Sequence, residues 1–217
     1  MKKLFVLTIL ILGSFSASAQ ERTLFSNSID HGGFGGPAVK FTSIKGEFGV
    51  MVGGYGGWLI DHTLMLGAGG YGLATDIRAA RSAELLYDVP AARPLYLDLG
   101  YGGGIVEVIL RSDDLVHAYA NVLVGAGYAS YRRSWREIRL HDQPRADDDD
   151  DQYHFGGYDA FFVLEPSVNA ELNMTSWMRL GAGVSYRYVS GIGMLDGITN
   201  ADLKGFSGQM TLKFGAF

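Results

Sequence analysis

The chain has 217 residues, 31 of them glycine and none cysteine, with 18 basic against 23 acidic side chains and a formal charge of −5. That length argues for one main domain. The lack of cysteine excludes a disulfide framework, a thiolate metal centre, a cysteine nucleophile and a lipid-modified N-terminal cysteine, and the acidic balance gives nucleic acid no footing.

Residues 1–19 read as a secretory signal, with Lys2 and Lys3 ahead of an apolar stretch, Leu4 to Leu12. Ala17-Ser18-Ala19 supplies the small-residue cleavage site, leaving 20–217 as the exported domain. The apolar run is too short to span a bilayer, which takes about 20 residues.

From residue 37 onward the dominant period is two. Asp159–Leu172 shows it plainly. Ala160, Phe162, Leu164, Val168 and Leu172 share one face, while Asp159, Glu165, Ser167, Asn169 and Glu171 share the other. Such alternation marks strands rather than helices. It predicts eight of them, at 37–44, 46–59, 63–74, 94–109, 115–131, 158–172, 177–190 and 204–217. Tight turns alternate with long connections at 75–93, 132–157 and 191–203, except for a short turn near Lys45-Gly46. An even number of strands, short turns at one end and long loops at the other predict an all-β fold: an eight-stranded antiparallel up-and-down transmembrane β-barrel. Closure follows from the bilayer, since a sheet in hydrocarbon satisfies every backbone polar group only by leaving no edge. Trp58 and Trp177 beside short turns, and Tyr128, Tyr131, Tyr186 and Tyr188 toward the long loops, fall where interfacial aromatic girdles belong.

Turning the polar phase inward collects Lys40, Glu47, Asp98, Glu165, Glu171, Arg179, Arg187 and Lys213. Eight strands enclose a space that side chains just fill, so this set reads as a paired, charge-neutral lumen network. Gly49, Gly53, Gly57, Gly67, Gly69, Gly125, Gly127, Gly181 and Gly183 share that phase and leave room for long side chains reaching across.

The runs Gly35–Phe41, Gly53–Trp58, Gly67–Leu73, Leu99–Gly104, Asp159–Pro166 and Leu180–Ser190 resemble a family of small outer-membrane β-barrel proteins of Gram-negative bacteria. The resemblance implies an outer-membrane barrel of the cell envelope with no settled activity, and it supplies no catalytic residue. It also implies that Phe217, the last residue, serves as the C-terminal signal read by the barrel assembly machinery. The apolar row Gly208, Met210, Leu212 and Phe214 lies one position out of phase with Phe217, so a bulge near Gly215 is expected.

Other motifs read more plainly. Gly67-Ala68-Gly69-Gly70-Tyr71-Gly72 fits a dinucleotide-binding fingerprint if Thr75 caps a helix over Thr75–Tyr87, but strands on both sides favour barrel glycines. Asp147–Asp151, near His141 and His154, lacks the ligand spacing of a calcium loop and reads as a solvated tip. Arg132, Arg133, Arg136 and Arg139, around Trp135, stand beyond the fifth strand, where lipopolysaccharide phosphates are natural partners and general snorkelling at the membrane edge is the equal alternative. His117, Asn121, Asn169, Glu165 and Ser185 form a conceivable acid–base set, but lumen polar groups are the simpler reading. No motif calls for a metal or a cofactor.

The sequence therefore predicts an exported outer-membrane barrel whose lumen is filled and does not conduct. Its expected role is structural or interactive, through loops meeting an unidentified extracellular ligand. The rivals are a small porin-like channel, a lipid-modifying enzyme and a soluble periplasmic barrel. The last needs a polar outer face, against Phe162, Leu164, Val168 and Leu172.

Overall fold

The computed structural model describes residues 30–87, 94–133 and 154–217; the expected signal segment lies outside them. Eight antiparallel strands pair in sequence order and close, β8 on β1. They are β1 (His31–Ile44), β2 (Glu47–Ile60), β3 (Leu64–Leu73), β4 (Tyr96–Leu110), β5 (Val116–Arg132), β6 (His154–Thr175), β7 (Met178–Ser190) and β8 (Gly205–Ala216). Among the described residues two short helices lie on the connections, α1 (Arg81–Leu86) and α2 (Asn200–Leu203). No helix among the described residues is long and apolar enough to cross a membrane.

The outer wall is apolar at mid-height. Val52, Leu66, Val106, Val124, Phe162, Leu164, Val168, Val184 and Met210 are all exposed there. Aromatics border it. Trp58 and Trp177 stand by the short turns; Phe48, Tyr128, Tyr186, Tyr188 and Phe206 stand toward the long connections. Tyr131 departs from the expected girdle. It is fully buried inside the barrel, and its hydroxyl donates to the Asp196 carbonyl at 2.6 Å.

At the β1–β2 turn Lys45 and Gly46 both have positive φ, 54° and 78°, matching the twist of a two-residue hairpin. Gly181 shows why inward glycines are needed. A Cβ there would lie 2.8 Å from the Tyr119 hydroxyl, which reaches across from β5.

Several expectations are corrected. β1 begins six residues before the expected start at 37, because His31–Gly36 pairs with β2, and in part with β8, despite having no apolar alternation. The β8 register runs without a shift against both neighbours, so no bulge forms at Gly215. Phe217 consequently continues the inward phase and stacks on Phe34 at 5.7 Å. The Gly67–Gly72 run lies within β3, paired on both sides. No helix starts at Thr75, whose hydroxyl accepts the Val50 N–H at 3.2 Å.

The connections above β3–β4 and β7–β8 pack together over the barrel mouth. Ile77, Leu95, Leu97, Ile192, Leu195, Ile198 and Leu203 are buried there with Tyr131. The lumen thus ends in an apolar cap at the long-loop end.

Candidate functional site

The ion-paired lumen charges form two sets on different levels, each built by strands distant in sequence. Nearer the loops, Lys40 on β1 donates to Glu165 on β6 at 2.7 Å. The Tyr101 hydroxyl donates to the same oxygen at 2.7 Å, and Ser185 Oγ donates to the other at 2.8 Å. Lys40 also lies over the Tyr71 ring, 3.5 Å from its centroid.

Nearer the short turns, Lys213 Nζ lies 2.6 Å from Glu107 and 2.7 Å from Glu171. Tyr55 and Asn121 donate to Glu107 at 2.9 and 3.1 Å. Glu171 Oε1 also meets Arg179 at 3.3 Å and His117 Nε2 at 3.1 Å. The Arg179 guanidinium covers the Phe217 ring at 3.9 Å, so the last residue helps close this mouth.

A chain of neutral groups spans the middle. Gln209 donates to Asn169 at 2.6 Å, Asn169 to Ser167 at 2.9 Å, and Ser167 to Asn121 at 2.8 Å. Taking a charge out of water is costly unless an opposite charge and hydrogen bonds replace the solvent. Each of these three carboxylates, Glu107, Glu165 and Glu171, has at least two side-chain partners.

Of the residues named from the sequence, Lys40, Glu165, Glu171, Arg179, Arg187 and Lys213 are buried inside the barrel. Two residues of the expected set are not there. Glu47 is exposed at the β2 rim. Asp98 lies on the outer face of β4, because Leu97, Leu99 and Tyr101 turn inward; it pairs with Arg132 at 3.8 Å. Glu107, nine positions further along the same strand, has the opposite phase and takes the inward place. Its neighbours Val106 and Val108, apolar and exposed on the outer wall, are the sequence signal that marks it as inward. Asp159 is likewise inward and buried. Among the described residues, the buried inward strand positions thus carry Lys40, Arg179, Arg187 and Lys213 against Glu107, Asp159, Glu165 and Glu171. Two of these acids, Glu107 and Asp159, are not in the set named from the sequence.

Arg132 is corrected as a lipid contact. It is buried, with its guanidinium 3.0 Å from Asp76, so it does not present itself to an outside phosphate. Arg133 is partly exposed, and Arg136, Arg139 and the Asp147–Asp151 run lie outside the described residues. The acid–base set does not converge: Ser185 serves Glu165, while His117 sits between Glu171 and the Asp114 carbonyl. Among the described residues no group of three His, Asp or Glu is arranged to hold a metal ion.

Glu84, on the connection above β3, is held between Arg78 at 2.9 Å and Arg81 at 3.0 Å. The Arg78 hydrogen bond above all holds its carboxyl below the usual range.

No family model and no curated protein matches the sequence. Among solved structures, the chain is similar to the crystal structure of Neisserial surface protein A at 14% identity and a TM-score of 0.51, covering 87% of this chain and 98% of that one. The N-terminal β-barrel domain of Pseudomonas aeruginosa OprF matches at 9% identity and 0.48, covering 85% and 96%. The attachment invasion locus protein Ail of Yersinia pestis matches at 11% identity and 0.42, covering 85% and 97%. The first of these shares the fold: a small eight-stranded barrel.

Proposed function

We propose that this chain is an outer-membrane barrel, exported by a cleaved signal at 1–19 and folded over 20–217, with a lumen that does not conduct. Its work is structural or interactive, carried by the long connections. The observation that supports this is the sorting of side chains across one wall. Exposed Val, Leu and Phe face out at mid-height, while ion-paired Lys, Arg and Glu are buried within. Only a bilayer rewards the first arrangement, and a lumen full of paired side chains leaves no water column for ions.

The partners that follow are outer-membrane lipid, the barrel assembly machinery and an extracellular ligand. Lipopolysaccharide phosphates are assigned to Arg133, Arg136 and Arg139, which follow β5 beyond the exposed Tyr128. Arg suits that task because its planar fork holds phosphate bidentately.

Purified protein in planar bilayers tests the reading. It predicts no steady conductance; stable single-channel steps overturn it in favour of a small channel.

A further inference from the structure

Two of the eight buried lumen charges have no oppositely charged partner within ion-pair distance among the described residues: Asp159 and Arg187. Both are spent on the backbone of one segment, 191–204. Asp159 Oδ2 accepts three consecutive N–H groups, from Gly193 at 3.0 Å, Met194 at 2.8 Å and Leu195 at 2.7 Å. At the other end of the segment, Arg187 Nε donates to the Leu203 carbonyl, the end of α2, at 2.7 Å.

Each charge suits the backbone group it holds. A carboxylate gathers converging N–H donors, and a cation complements the carbonyl end of a helix. Along this segment Ile192, Leu195, Ile198 and Leu203 bury their side chains in the apolar cap. Beneath it lies a row of hydroxyls on neighbouring strands: Ser185, Ser207 and Thr42. Arg187 reaches that row too, with Nη2 3.4 Å from Thr42 Oγ1. Ser207 is buried, and its hydroxyl has no hydrogen-bond partner.

The geometry points to a latched lid: segment 191–204 seals the loop end of the lumen, and the charge of Asp159 is the latch that holds it shut. The inference deepens the reading of a closed lumen and rests on it. Loss of the latch leaves three adjacent N–H groups without their shared acceptor and frees the start of the segment. Local opening of this kind needs only a few contacts to fail, not the whole barrel.

The absence of native cysteine makes a direct test available. Ser207→Cys places one thiol under the lid at nearly constant size. The barrel, folded in detergent and checked by its gel mobility before and after boiling, is treated with a small charged methanethiosulfonate. With Asp159 intact the thiol reacts slowly. Adding Asp159→Ala speeds the reaction about tenfold, the equivalent of about 1.4 kcal/mol in the opening equilibrium. Asp159→Asn, which keeps the size but not the charge, gives a smaller increase and serves if the alanine variant fails to fold. Equal, slow labelling in all backgrounds overturns the latch while leaving the closed lumen standing. Fast labelling with Asp159 intact overturns the closed lumen itself.

Discussion

Lys40 and Glu165 meet at 2.7 Å across the lumen, joining the first strand of the barrel to the sixth through a contact that no strand pairing supplies. Both side chains are buried, so each is the other's replacement for water. Replacing Lys40 alone by Met strands a carboxylate and is expected to cost about 3–5 kcal/mol, whereas Lys40→Met with Glu165→Leu leaves no charge to strand and costs much less. Urea unfolding from a lipid bilayer, followed by gel mobility, measures both. Additive losses in the double variant would contradict the pairing.

Arg187→Ala is expected to destabilise far more than Arg133→Ala. Arg187 is fully buried and donates to the Leu203 carbonyl, the Met51 thioether and the Thr42 hydroxyl. Its removal leaves a buried carbonyl unmet, at about 1–3 kcal/mol, and adds a cavity. Arg133 is partly exposed, where such changes are worth about 0–1 kcal/mol. Equal unfolding midpoints for the two variants would reject the lumen position of Arg187.

Gly181→Val is expected to lower stability by about 1–3 kcal/mol through overpacking. The new side chain starts 2.8 Å from the Tyr119 hydroxyl, and that ring is itself held beneath Lys213 at 3.7 Å. Gly72→Ala, where an added Cβ meets nothing within 4 Å, is the control and should change the unfolding midpoint little.

Glu84 gives a pH dependence of known sign. Its carboxyl is held below the usual range, chiefly by Arg78, so folding favours the ionised form. The stabilisation is complete above the unfolded-chain value of about 4.3 and fades as pH falls through the lower folded value. Hydrogen exchange in α1 should therefore be faster in Glu84→Gln than in the parent at pH 7, and the two should converge as the pH drops below about 4. A difference that persists in acid would show that the contact does not depend on charge.

The strand count and the inward phase of β6 and β7 were legible because their two faces differ sharply in polarity. In β6 Glu165, Ser167, Asn169 and Glu171 alternate with Leu164, Val168, Ala170 and Leu172, although Phe161 and Val163 put apolar side chains on the inward phase beside Asp159. β4 misled because its inner face, Leu97, Leu99, Tyr101 and Ile105, is apolar while Gly100, Gly102 and Gly104 occupy the outer one. Alternation there carries no label for inside, so the sequence points to Asp98 where the structure turns Glu107 inward. The start of β1 was hidden because His31–Gly36 is mostly glycine, and its pairing is dictated by β2 and β8. Arg132 read as a membrane-edge cation because its partner Asp76 is 56 positions away on another connection. The hold of Asp159 on residues 193–195 joins groups 34 to 36 positions apart and leaves no local pattern.

The most direct measurement concerns where the outer wall is at home. Residues 20–217, refolded from urea, are presented either to phospholipid vesicles or to detergent-free buffer. Electrophoretic mobility is then compared before and after boiling, alongside light scattering. With the aliphatic outer face turned to hydrocarbon, the chain should insert into vesicles and show a compact band that boiling abolishes, and it should aggregate in buffer. A folded, monodisperse monomer in buffer that ignores the vesicles would contradict the assignment.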